Sequence, residues 1–353
     1  MKLKLNIPAG LFAGVDFGIT HVKWGLISVK PDQDGVDVTS VFDGPKKEPS
    51  TLTAGPDATI KLLADIREKA RMATGADIAA MGVAIAGPTH EGNIAIIPGS
   101  GNPAWHGYNI NTAVKAALGL PTYGINDGKS MGFSAAHRMF PNGIKEPIYV
   151  FAPASGIACC QVLPGGALYP GAHGFAGEGG HASWCVPQFV PAAPRIPCGC
   201  GGVNHWDHSV LTIAGIERRL RELCGNPKHA HHPLALEQRS WRDRAVDVLK
   251  WAIAGDPLCT KIMTESAYAA GLFAANKQFD MDVGAFIILG GVAESPEEFR
   301  KYYEGFMVSA YRAQFPTKGD PRHDVPFIWD AFGDPGWHGA ALFAGSQAGA
   351  KTA

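Results

Sequence analysis

Two short β-like runs open the hydrophobic pattern, LFAGVDFG and VKWGLISV, spanning Leu11 to Val29 and joined at Ile19-Thr20-His21. Gly18, just before the junction, predicts a tight hairpin. The spacing then changes. From about Asp57 to Met72, ATIKLLADIREKARM places its apolar residues at helical intervals. An alanine- and valine-rich strand follows, AAMGVAIAGP, stopped by Gly87-Pro88. Asn111 to Ala117 reads as a helix and Thr122 to Ile125 as a short strand leading into Asn126-Asp127. The next segment, GKSMGFSAAHRM, reads as a helix.

A second hairpin pattern comes next, with strands at Pro147–Pro153 and Ile157–Leu163 and the small-residue turn Ala154-Ser155-Gly156 between them. Helices are predicted around His208–Leu223, Ser240–Ala254 and Leu258–Gln278. The strand GAFIILGG, a helix from Pro296, the strand VPFIWDAF and a closing helix from Gly336 complete the chain. A hairpin with a small-residue turn in each half is a weak internal duplication, of the kind two α/β domains facing a cleft produce. The division is drawn near Gly128, giving domains 1–128 and 129–335, with the last helix (336–350) returning to the first.

Bulk properties narrow the function classes. The 353 residues suffice for two full cores. Hydrophobic residues make up 46% and charged residues 18%, as in ordinary globular proteins. The net charge of −1 gives no footprint for nucleic acid. No apolar run approaches a membrane span, and the N-terminus lacks the apolar stretch of a signal peptide. Seven cysteines, an odd number that includes adjacent Cys159 and Cys160, do not form a disulfide framework. A cytoplasmic protein with neither nucleic-acid nor membrane partners is expected.

The chemistry concentrates between Gly171 and Asp207. There GAHGFAGEGGHASW precedes PCGCGGVNHWD. Glu178 and His181 are followed by Cys198, Cys200 and His205. Two thiolates with imidazole make a zinc-type set, and four such ligands suit a closed structural site. His208 is an alternative to His205, and Cys185 to any member of the set. Glu178 is poorly spaced for zinc but suited to hydroxyl groups, so the segment reads as a metal holding a polar, sugar-like pocket. The histidines around His229 to His232 read as a solvated loop.

This segment closely resembles the signature of the ROK family of sugar kinases, in which Gly-Glu-x-Gly-His precedes Cys-x-Cys-Gly-x-x-Gly-Cys-x-Glu. Gly177, Glu178, Gly180 and His181 match the first element; Cys198, Cys200 and Gly201 match the start of the second. Asn204, His205 and Asp207 then stand where the family has glycine, cysteine and glutamate. The resemblance implies an actin-like, ribonuclease-H-type fold in each of two lobes, a structural zinc held by His181, Cys198, Cys200 and His205, and a homodimer. It also implies that one nitrogen of His181 binds zinc while the other donates to a sugar hydroxyl. Glu178 and, more weakly, the shortened Asp207 would accept from neighbouring hydroxyls.

Further matches extend the resemblance from Asp16 to Gly291. Asp16, Gly18 and Thr20, with Lys23 behind, look like the first phosphate motif, usually Asp-x-Gly-Gly-Thr, although an ordinary β-turn has the same composition. Asn126-Asp127 is similar to the family's catalytic pair, which implies Asp127 as base and Asn126 as a sugar-orienting amide; a helix cap reads the same way. Asn102, in GNPAWHG, matches a sugar-contacting stretch, and Gly101-Asn102-Pro103 is equally a turn signal. Ser155 and Gly156 occupy the second phosphate loop, with two of its glycines replaced by alanine. Gly290 and Gly291 look like the adenosine motif.

The function implied is an ATP-dependent sugar kinase. It would use Mg²⁺, phosphorylate a hexose 6-hydroxyl, and accept glucose or an N-acetylated hexosamine. Polyphosphate stays open as donor. The alternative is a sugar-binding regulator without catalysis, against which the first core strand starts near Leu11 and leaves no room for a helix-turn-helix. A zinc hydrolase or dehydrogenase would need an open coordination position.

Overall fold

The computed structural model describes residues 1–97, 100–184, 195–198, 200–315, 317 and 319–350. The first ten strands are β1 (Lys2–Leu3), β2 (Gly10–Phe17), β3 (His21–Asp32), β4 (Gly35–Ser40), β5 (Lys46–Pro49), β6 (Ala80–Ile85), β7 (Thr89–His90), β8 (Asn93–Ile94), β9 (Tyr108–Asn109) and β10 (Thr122–Asn126). The others are β11 (Ile148–Pro153), β12 (Ile157–Val162), β13 (Ala285–Ile288) and β14 (Phe327–Trp329). Helices are α1 (Pro56–Thr74), α2 (Ile110–Leu118), α3 (Asp127–Met139), α4 (Ile213–Cys224), α5 (Pro233–Leu236), α6 (Trp241–Ile253), α7 (Pro257–Met281), α8 (Glu297–Arg312) and α9 (Pro335–Ala350).

The chain divides into two compact units. The first comprises Met1–Val150, Cys160–Gly177 and Phe332–Ala353; the second comprises Phe151–Cys159 and Glu178–Ala331. The first unit therefore runs past the division drawn at Gly128. The reason is α3, which packs on α9, with Ser130 Oγ donating to the Gly336 carbonyl at 2.6 Å.

In the first unit a seven-stranded sheet runs β1-β4-β3-β2-β6-β10, with β5 also on β3. Strands β2, β6 and β10 are parallel neighbours, while β3 returns antiparallel along β2. The hairpin expected at Ile19-Thr20-His21 is present, closed by the Gly18 N–H on the His21 carbonyl at 3.0 Å. Every residue of β6 is buried, as suits a parallel strand covered on both faces. Helix α9 lies on β2, β3 and β6. Close approach requires glycine there: a Cβ on Gly14 would sit 1.8 Å from the Trp337 carbonyl oxygen, and one on Gly82 1.9 Å from that of Ala340.

The second unit holds α4 to α8, β13 and β14, with Phe151–Pro153 of β11 and Ile157–Cys159 of β12; the sheet order is β12-β11-β13-β14. The helix predicted from His208 starts instead at Ile213. Trp206–His208 form a separate short turn, and the Thr212 hydroxyl caps α4 by accepting from the Gly215 N–H. No described helix is long and apolar enough to cross a membrane.

Candidate active site and metal cluster

In the first unit the chemistry gathers at the carboxyl ends of parallel strands, where open α/β sheets present groups to ligands. Asp16 is the second-last residue of β2 and pairs across the ladder with Lys23 of β3. Asn126 ends β10, and Asp127 begins α3. The helix starts here because the Asn126 carbonyl oxygen Oδ1 accepts from the Lys129 N–H at 3.0 Å. The cap is thus Asn126, not the aspartate. Its amide nitrogen donates to the Gly87 carbonyl at 3.0 Å and to Asp127 Oδ1 at 3.2 Å, so it orients Asp127. Asp127 Oδ1 also accepts from the Gly128 N–H at 2.8 Å, and none of these bonds ties its other oxygen.

Burial raises the pKa of both carboxyl groups. Asp16 is pushed up to about 7, first by desolvation and then by the nearby charge of Asp127, against the pull of Lys23. Asp127 is raised by desolvation, opposed by its backbone hydrogen bonds. Because Asp16 holds its proton more tightly folded than unfolded, its contribution to stability is complete below about pH 3.8 and lost as pH rises through about 7. Asp16→Asn should therefore be more stable than the parent at pH 8, by ~2–4 kcal/mol, with the difference vanishing near pH 4. Urea unfolding at the two pH values measures this.

One wall of this region was not singled out in the sequence. The turn Gly333-Asp334-Pro335-Gly336, which opens α9, comes against Asp16 so closely that a Cβ on Gly336 would lie 2.4 Å from its carboxylate. Lys23 forms an ion pair with Asp334 of this turn. A separate cavity of about 490 Å³, lined by Glu91, Asn111, Lys129 and Phe343 among others, includes neither Asp16 nor Asp127.

In the second unit, His181, Cys198, Cys200 and His205 bring one ligand atom each to within 4.8 Å of one another. Cys198 Sγ lies 3.7 Å from His181 Nδ1, and Cys200 Sγ 3.3 Å from His205 Nδ1. The loop closes through Gly201 N–H to the Cys198 carbonyl and Cys198 N–H to the Gly202 carbonyl. Asn204 has φ of 52°, which explains how an asparagine stands where the ROK signature has glycine. Its Oδ1 accepts from the Ile196 N–H at 2.8 Å. Two thiols and two imidazoles at this spacing fit a tetrahedral zinc. His205, not His208, belongs to the group; Cys185 lies outside the described residues.

The same ring faces the other way with its second nitrogen. His181 Nε2 is 3.8 Å from Glu178 Oε2 and 3.7 Å from Asp207 Oδ2. Asp207 Oδ1 is already engaged, accepting from the Ile157 N–H at 2.8 Å. Gly180 permits this approach, since a Cβ there would lie 2.1 Å from that oxygen.

Of the histidines expected in a solvated loop, His231 is exposed, but His232 is largely buried and joins Asp256 and Cys259 in a second cluster. His232 Nδ1 accepts from the Leu234 N–H and so caps α5, which places the ring proton on Nε2, bonded to Asp256 at 3.0 Å. The His232 ring therefore has no lone pair left for a metal.

The remaining candidates lie on loops and turns of the two units. Gly18 and Thr20 are exposed at the first hairpin turn, and Ser155 is exposed beside Gly156 in the second. Gly290 has φ of 94° and lies against the Pro153 carbonyl; Gly291 follows it. Asn102 is committed locally, accepting from the Ala104 N–H and donating to the Thr53 carbonyl. Its neighbour Trp105 is fully buried core.

The sequence model described as ROK family matches residues 12–323. The chain belongs to the ROK family. No curated protein matches it in sequence. Among solved structures, the ROK hexokinase from Thermus thermophilus is similar with a TM-score of 0.69 at 22% identity, over 97% of this chain and 100% of the other. A ROK glucokinase from Streptomyces griseus, in complex with glucose and AMPPNP, gives 0.68 at 22%, over 95% and 99%. A ROK transcriptional regulator, a homologue of the E. coli MLC protein, gives 0.69 at 17%, over 96% and 78%. The α/β mixed-sheet fold of this ROK protein is thus the one shared by ROK hexokinases and a ROK regulator.

Proposed function

We propose that this protein is an ATP-dependent sugar kinase that transfers the γ-phosphoryl group to a hexose hydroxyl, the 6-hydroxyl of glucose or an N-acetylated hexosamine. The observation that carries the reading is the double use of His181: Nδ1 faces Cys198 while Nε2 faces Glu178 and Asp207. His181, Cys198, Cys200 and His205 would hold a zinc ion, which would give the ring a rigid anchor. The ring then donates from Nε2 to one sugar hydroxyl while the two carboxylates accept from others.

Asp127 serves as general base. Its carboxylate takes the proton of the attacking hydroxyl as the new O–P bond forms and the bond to the β-phosphate oxygen breaks, releasing ADP. Desolvation raises its pKa, which strengthens it as a base at neutral pH. Asp16, Gly18, Thr20 and Lys23 would hold the phosphate end, with Ser155, Gly156, Gly290 and Gly291 serving the nucleotide. Mg²⁺ bound with ATP supplies neutralising charge.

One observation favours a second reading, a sugar-binding regulator. Two loop amides that could serve phosphate are occupied within the protein: the Gly18 N–H by the His21 carbonyl and the Ile157 N–H by Asp207. The readings separate in a panel of hexoses and hexosamines offered ATP or polyphosphate. A kinase releases ADP, or shortens polyphosphate, only with particular sugars. Binding of a sugar without turnover under every donor would favour the regulator.

A further inference from the structure

We propose that Asp334 is a positioning residue for the phosphate end of the site, acting through Lys23. The inference rests on the kinase reading above. Lys23 stands directly across the β2–β3 ladder from Asp16, and its ammonium pairs with Asp334, far away in sequence. The two side chains are 36% and 30% exposed, so the pair is open to an incoming ligand rather than sealed in the core.

This aspartate is one of four non-glycine positions with positive φ among the described residues, with Glu91, Asn204 and Asp282. Asp334 has φ of 60°, in the left-handed region where a glycine would relax the turn. Gly333 immediately precedes it, and yet the position carries a carboxylate. Disfavoured backbone of this kind gathers where a side chain is put to use. Two residues later, Gly336 abuts the Asp16 carboxylate. A single turn therefore brings an anion to Lys23 and a wall to Asp16.

The chemistry follows from the lysine itself. Its head has three donors on a flexible four-carbon stem. One donor on Asp334 fixes the ammonium beside Asp16 and leaves the others for a phosphoryl oxygen. Without that anchor the stem is free to swing to solvent or fold onto Asp16, and the charge no longer meets phosphate. An ordinary surface ion pair would instead contribute little, and only to stability.

Calorimetric titration with Mg·AMPPNP tests this in the wild type, Lys23→Met, Asp334→Asn, Asp334→Gly and the double variant Lys23→Met/Asp334→Asn. Each single change is expected to weaken binding ~5–20-fold, and the double variant no further than Lys23→Met alone, because coupled residues are not additive. Thermal midpoints serve as the folding check. Asp334→Gly should melt at or above the wild type, since glycine suits the turn, and it replaces Asp334→Asn in the cycle if the latter is unstable. Wild-type affinity in both Asp334 variants, or losses that multiply with that of Lys23→Met, would overturn the proposal alone. A wild type that binds no Mg·AMPPNP would overturn it together with the kinase reading.

Discussion

Asp127→Asn is expected to lower kcat by ~10²–10⁴ while leaving sugar affinity close to the parent value. The amide is nearly isosteric, can still accept from the Gly128 N–H, and keeps the capping done by Asn126. Only the ability to take a proton is lost. Steady-state kinetics with a direct sugar-binding measurement checks this, and parallel losses in binding and turnover would point to a structural role. Asn126→Ala should act less specifically. It removes the cap of α3 and the tether to Gly87, so it is expected to reduce stability and activity together.

The second large effect concerns the metal. Cys198→Ser with Cys200→Ser removes both soft ligands and should abolish zinc, measured by elemental analysis of the purified protein. The His181 ring then loses the anchor on Nδ1, so its donation from Nε2 is no longer aimed. The sugar KM is expected to rise ~10–100-fold, the scale on which loss of orienting partners acts at metal sites. The donor KM should rise less, because Asp16 and Lys23 belong to the other compact unit, although Ser155, Gly156, Gly290 and Gly291 share the unit of the cluster. A double variant that keeps sugar affinity after losing zinc would separate the metal from recognition.

Much of this site is legible in the sequence because its motifs are local. Glu178 and His181 fall within one short segment, and Cys198, Cys200 and His205 within another, so spacing alone groups them. The hairpin around Gly18 and the all-apolar strand β6 are legible for the same reason, since period and turn chemistry are local properties. What spacing cannot reach is the partner far away in the chain. Asp334 meets Lys23 only because α9 folds back on β2, and a lone Gly-Asp-Pro-Gly reads as a turn.

Polar edges were equally hidden. GVDVTS and KKEP form β4 and β5 by pairing along β3, where half-exposed strands need no continuous apolar run. Helix α4 starts at Ile213 rather than at His208, because Trp206–His208 form a turn of their own and Thr212 holds the cap. His232 reads as loop by composition. Its role as a cap bonded to Asp256 depends on α7 arriving from later in the chain. Asp207 shows the reverse case. Its presence is legible, but its bond to the Ile157 N–H is not, and that bond engages one of its two oxygens.

The most direct measurement is phosphorus NMR of the wild-type protein incubated with Mg·ATP and a mixture of hexoses and N-acetylated hexosamines. The account predicts a sugar phosphate ester, coupled to a methylene proton pair as a 6-phosphate would be, appearing mole for mole with ADP. Inorganic phosphate with no ester, or unchanged ATP beside a bound sugar, would contradict it.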